Sequence, residues 1–181
     1  LEADAQLSDA HNNLGQILID AGKTDAAIAA YRQAVALQPE HAVLHYNLGA
    51  ALHLHKNERA EAERCYRQAL ARKQDFTPAL SNLGTLLLEE EHWSEAREML
   101  ERALELTPDD PKTLNSLGLA LQRLKDEEGA LRCFRRAIEV ASYPPAYSNL
   151  GVLLETRGDT EEAINSFRKV LAKHPDMQGV T

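Results

Sequence analysis

A short phrase returns along the chain at an almost fixed interval. Asn13-Leu14-Gly15 reappears as Asn47-Leu48-Gly49, as Asn82-Leu83-Gly84 and as Asn149-Leu150-Gly151. A further copy, Ser116-Leu117-Gly118, differs at its first residue. Successive glycines lie 34, 35, 34 and 33 residues apart. A period of this size constrains the fold more tightly than composition does. It marks an array of like units, each too small to bury its own apolar faces and therefore obliged to stack on its neighbours.

The first unit shows the grammar. Ala10, Leu14, Ile17, Leu18 and Ala21 recur at helical spacing and predict an apolar stripe on one helix. Gly22-Lys23 interrupts it, and Ala27, Ile28, Tyr31, Ala34, Val35 and Leu37 form a second stripe that Pro39 ends. Two antiparallel helices joined by a tight turn are expected in each unit. The predicted units are residues 8–41, 42–76, 77–110, 111–143 and 144–177, followed by a tail at 178–181. Residues 1–7 read as the remnant of a preceding repeat's second helix. The extra residue of the second unit is expected in its inner turn, around Lys56-Asn57-Glu58-Arg59, and the fourth unit is short by one where the chain passes to Pro144-Pro145. Asp126 and Asp159 mark helix starts, Asp159 standing at capping-box spacing from Glu162.

These residues resemble the tetratricopeptide repeat. Leu-Gly is present in all five units, and the alanine of the second helix is kept as Ala27, Ala62, Ala96, Ala130 and Ala163. Four residues later stand Tyr31, Tyr66, Leu100, Phe134 and Phe167. The closing proline is kept as Pro39, Pro108 and Pro175, replaced by Gln74 in the second unit and lost in the fourth. Small residues at these places let two helices cross closely while a ring fills the space beside them. The resemblance covers residues 8–177. It implies an all-α fold, a right-handed superhelical solenoid of five helix-turn-helix hairpins whose first helices line a concave groove.

Composition narrows the function. A net charge of −8 and a pI near 5.4 argue against nucleic-acid binding. No run of about 18 apolar residues exists to span a membrane, and no targeting segment is visible, so a cytoplasmic protein is expected. Cys65 and Cys133 share a register two units apart and are expected to be reduced, semi-buried and unpaired. Neither a nucleophile elbow nor a phosphate-cradling glycine loop occurs. His41 and His45 are four apart and His11 matches His45 one unit earlier, but no Cys or carboxylate completes a ligand set. No enzyme activity, cofactor or metal is expected.

The asparagines remain. Asn13, Asn47, Asn82 and Asn149 stand two residues before their glycines. Given the resemblance, they form a ladder of amides along the groove, able to hold the backbone of an extended peptide. The alternative is that they hydrogen-bond neighbouring helices. Around the ladder, Asn12, Gln16, Tyr46, Asn115, Lys112 and Arg123 are expected to line the groove, with His53, Thr85 and Ser148 as further candidates. The lysine and arginine pattern of chaperone-tail-binding repeats is missing: Asp9, Val43, Pro78, Lys112 and Pro145 occupy the lysine positions. The expected function is a non-catalytic scaffold for a protein or peptide partner, whose grip should weaken at Ser116. Two other readings stay open. Asn12-Asn13-Leu14-Gly15 is similar to repeats of O-linked N-acetylglucosamine transferases, which suggests a recognition arm of a larger enzyme. Ile164, Phe167, Val170 and Leu171 on the last helix suggest homo-oligomerisation through terminal repeats.

Overall fold

The computed structural model describes residues 2–56 and 58–173. Asn57, Pro175 and the predicted tail 178–181 lie outside the described residues. Among the described residues the chain is all helix. In order the helices are α1 (Glu2–Asp20), α2 (Thr24–Leu37), α3 (Ala42–Ala51), α4 (Arg59–Arg72), α5 (Thr77–Glu89), α6 (Trp93–Leu106), α7 (Pro111–Arg123), α8 (Glu127–Ala141), α9 (Pro144–Arg157) and α10 (Thr160–Lys173). A π-helical turn, Leu52–Lys56, extends α3. The helices group into two compact units, Leu1–Leu86 and Leu87–Thr181, with the boundary inside α5.

In the first unit α1 packs on α2, α2 on α3 and α3 on α4. Ala27, Ile28, Tyr31 and Ala34 are buried in α2, and Ala62, Cys65, Tyr66 and Ala69 in α4. In the second unit α6 packs on α7, α7 on α8, α8 on α9 and α9 on α10. Ala130, Phe134 and Ala137 are buried in α8. Ring and glycine meet as the sequence pattern demands. A methyl group on Gly15 would stand 2.6 Å from Tyr31, and one on Gly118 would stand 2.5 Å from Phe134. No side chain larger than hydrogen fits such an approach.

Helix ends follow local chemistry. The Asp126 carboxylate accepts from the Gly129 amide at 2.9 Å, and Asp110 does the same for Thr113 at 2.7 Å. Each satisfies an amide that the first helical turn leaves open. Asp159 carries an ion pair with Arg157 at 3.6 Å. The fourth hairpin's short exit is made possible by Ser142, which adopts a left-handed conformation at φ 49°. Pro144 and Pro145 then occupy the first turn of α9, where a missing N–H costs nothing. Exposed ion pairs join successive hairpins, among them Arg32–Glu61 at 3.0 Å and Arg135–Glu162 at 3.0 Å. Each contributes about 1 kcal/mol or less.

The structure departs from three expectations. Residues 2–7 do not end a separate helix; they run without a break into α1, since no glycine or proline interrupts them. The expected stripe on α1 is not core either. Leu14 is 46% exposed and Ile17 64% exposed, whereas Ser8 and Gly15 are buried, Ser8 donating to the Ala34 carbonyl at 3.1 Å. α1 packs on α2 and meets α3, and the face that carries Leu14 and Ile17 stays open among the described residues. Finally, the surplus residue of the second hairpin is taken up earlier than expected. In the other four hairpins the amide eight residues after the repeat glycine bonds the carbonyl three after it: Lys23 to Leu18, His92 to Leu87, Asp126 to Leu121 and Asp159 to Leu154. In the second, the equivalent carbonyl of Leu52 accepts from Glu58, one residue further along, at 3.0 Å. The π-helical turn holds the difference, so α4 resumes in register.

Candidate functional site

The repeat asparagines are tied into the array. Asn47 donates from Nδ2 to Asn12 Oδ1 at 2.8 Å, and Asn149 donates to Asn115 Oδ1 at 2.8 Å. Asn82 donates to the Tyr46 hydroxyl at 3.4 Å. The rule is common to all three: the acceptor is the residue three before the preceding repeat's glycine. An amide has two N–H donors and one acceptor oxygen, so one such bond leaves further capacity. The hydrogen-bonding alternative therefore describes part of what these residues do. The remaining part depends on what lies beside them.

In the first unit Asn47 lines a cleft of about 210 Å³ with Gln16, Ile19, Tyr31, Tyr46, Ala50, Ala51, Leu54 and His55. Gln16 also donates to Asp20 at 3.0 Å. The Tyr46 ring is braced by Tyr66 and Phe76, with centroids 6.1 and 5.3 Å away. Burial raises the hydroxyl pKa of Tyr31, the Asp20 charge adding to it. Burial likewise raises that of Tyr46 against the opposing Asn82 hydrogen bond. Both phenols are thus neutral at physiological pH, and no lining residue is a carboxylate, lysine or arginine.

In the second unit Asn149 lines a cleft of about 600 Å³ with Glu91, Trp93, Leu119, Gln122, Arg123, Lys125 and Val152. The Arg123 guanidinium sits over the Trp93 ring, 5.5 Å from its centroid. Such a stack orients the guanidinium fork without consuming its hydrogen-bond donors.

The predicted residues divide accordingly. Gln16, Tyr46 and Asn47 come together in the first cleft, and Arg123 and Asn149 in the second. Asn12 and Asn115 stand behind as acceptors, Asn115 only 8% exposed. Asn82 is buried, and Asn13 and Lys112 are exposed but line neither cleft. His53, a further candidate, faces inward with its Nδ1 3.5 Å from the Tyr66 hydroxyl. Thr85 donates to the Ser81 carbonyl at 3.0 Å. Sequence reasoning missed Ile19, Leu54, His55, Trp93 and Val152. Part of the signal was available: the position one residue after each glycine lies three after the asparagine, on the same helix face, which is where Val152 stands. Trp93 had no such signal, because it comes from the start of a second helix.

Other chemistry is quiet. Burial pushes both thiols up to about 11, Cys65 and Cys133 alike, and both are free. His45 bonds the Pro39 carbonyl through Nε2 at 2.7 Å. Among the described residues no cluster of His, Cys, Asp and Glu could hold a metal ion, and no helix is long and apolar enough to cross a membrane.

Comparison with known proteins bears on the same residues. Models of the tetratricopeptide (TPR) repeat match residues 15–56, 44–77, 78–110 and 109–174. The chain is 25% identical over 179 residues to the human protein O-mannosyl-transferase TMTC3, covering 90% of this chain and 20% of that protein. It therefore spans about a fifth of that relative's length. MamA from Desulfovibrio magneticus RS-1 superposes with a TM-score of 0.84 at 18% identity, over 95% of this chain and 97% of that one. YrrB, described as a TPR protein with an unusual peptide-binding site, superposes with a TM-score of 0.75 at 25% identity, over 92% and 86% of the two chains. With glycine and alanine in place in every repeat and a ring in four of the five, the chain is a member of the tetratricopeptide-repeat family.

Proposed function

We propose that this chain is a non-catalytic interaction scaffold that holds an extended peptide of a partner protein against its first helices. One observation carries the reading. In each unit a repeat asparagine, anchored by a 2.8 Å bond to the hairpin before it, forms part of the wall of a cleft. Anchoring pre-organises the amide, so little rotamer freedom is lost when a peptide backbone bonds it. The peptide-binding site named for YrrB supports the same use of this fold.

The test is a binding screen of random extended peptides against the wild type, Asn47→Ala and Asn149→Ala. Each substitution should weaken the peptides that occupy its own unit by about 1 kcal/mol or more, and equal binding by all three proteins would remove the asparagines from the mechanism. A second reading has its own support in the exposed Leu14 and Ile17 of α1 and Ile164 of α10: association of copies through these faces. Light scattering across a concentration series decides it, a constant monomer mass ruling it out. The TMTC3 similarity favours a third use of the same groove, as the recognition arm of a larger transferase. A full-length reading frame without a catalytic domain would end that reading.

A further inference from the structure

The π-helical turn Leu52–Lys56 changes what the first unit's cleft presents. A π turn spreads one more residue over each hydrogen-bonded loop than an α turn, so side chains within it are rotated relative to an α-helical register. His53 is the residue four after its glycine. It is turned inward to 7% exposure and packs edge-on against Tyr66, ring centroids 6.1 Å apart. Its counterparts Ile19, Gln122 and Glu155 are all more open. The next two residues, Leu54 and His55, both line the cleft. Leu54 remains 59% exposed, an apolar side chain held at the lip rather than in the core.

The lining decides what fits. Ile19, Ala50, Ala51 and Leu54 supply apolar surface, and Tyr31, Tyr46, Asn47 and His55 supply polar groups. A charged side chain entering here would be stripped of water with no counter-ion among the lining residues, an unfavourable exchange. Small-molecule sites run to roughly 300–1,000 Å³, and at about 210 Å³ this cleft is smaller. It has room for a single large side chain. The second unit's cleft has neither property, being larger and lined by Glu91, Arg123 and Lys125.

We infer that the π-helical turn is a specificity element, fitting the first unit's cleft to one large uncharged apolar side chain of a peptide whose backbone Asn47 holds. The inference rests on the peptide-groove reading and adds to it the class of residue selected and the element that selects it. Leu54, Ile19 and the two tyrosine rings supply its apolar contact surface.

The probe is a display library of random extended peptides. Enriched sequences are resynthesised, with capped ends, carrying Leu, Phe, Glu or Lys at the central position. The wild type should prefer Leu or Phe over Glu or Lys on the order of tenfold, about 1.4 kcal/mol. Leu54→Glu should abolish or reverse that preference while leaving the melting temperature near wild type, since Leu54 is largely exposed. Deletion of His55, which restores the closing-turn length of the other four hairpins, should flatten the preference without loss of helix content. An unchanged Leu or Phe preference in Leu54→Glu overturns the inference, even if the deletion variant fails to fold. The underlying reading is separable. If Asn47→Ala weakens all of these peptides while Leu54→Glu leaves their ranking intact, the groove stands and the π-turn role falls. If Asn47→Ala changes nothing, both fall.

Discussion

The two units share one plan of helix packing but fill it with different chemistry. Beneath Gly15 and Gly49 of the first unit lie tyrosines, Tyr31 and Tyr66; beneath Gly118 and Gly151 of the second lie phenylalanines, Phe134 and Phe167. As space-fillers the two rings are equivalent, and both Tyr66 and Phe134 are fully buried. The hydroxyl makes the difference. Tyr31 reaches the wall of the first cleft, and Tyr66 meets the inward-turned His53. In the second unit the cleft takes its polar character from the surface, from Arg123 over Trp93 and from Glu91 and Lys125. Packing tolerates either ring, so ring identity is free to serve the surface.

The firmest way to break this comparison is to delete the rings. Tyr66→Ala and Phe134→Ala should each cost about 3–5 kcal/mol, read from urea denaturation. A difference of more than about 2 kcal/mol between them would mean that the two sites are not structurally equivalent. The next effect comes from the glycines. Gly118→Ala places a methyl 2.5 Å from Phe134. Overpacking costs about 1–3 kcal/mol, offset by a helix-propensity gain of about 1 kcal/mol. A net destabilisation should remain and should vanish in a Phe134→Leu background, as measured by melting temperature.

Smaller still is the asparagine tie. A double-mutant cycle on Asn47 and Asn12 should return a coupling of about 0.5–1.5 kcal/mol, and the cycle on Asn149 and Asn115 a similar value. Unequal couplings would show that one unit commits its asparagine to the array more than the other. An effect confined to alkaline pH concerns the cysteines, on which the units agree. Each thiol is raised to about 11 by burial. The neutral form is the one the fold favours, so its contribution to stability is complete below the ordinary thiol pKa of about 8.5 and declines as pH rises toward the folded value. Denaturation midpoints should therefore fall between pH about 8.5 and 11. The fall should be shallower in Cys65→Ala and in Cys133→Ala, by similar amounts.

Much of the scaffold was legible in the residues. The helical spacing, the glycine-alanine-ring set and the Asp126 cap all rest on interactions within a hairpin, which a periodic pattern can encode. The candidate site was legible in part. Asn47 and Asn149 were named from their register and do line clefts, as do Gln16, Tyr46 and Arg123. Asn82 was named on the same register and is buried. What distinguishes it is the side chain opposite, the Tyr46 hydroxyl rather than an asparagine, on the preceding hairpin. The α1 stripe misled for a related reason: Leu14 and Ile17 have the spacing of core residues, but periodicity does not say which of two apolar faces finds a neighbour.

By itself, then, the sequence determined the repeat, its hairpins and the positions where helices must approach closely, because those depend on residue size and on spacing along one helix. Tertiary structure alone decided how the surplus residue of the second hairpin is absorbed. The carbonyl of Leu52 keeps its partner role and α4 keeps its packing register, so the slack is forced into the turn between them. It also decided that Trp93 lies under Arg123, a meeting of two hairpins that no local spacing announces.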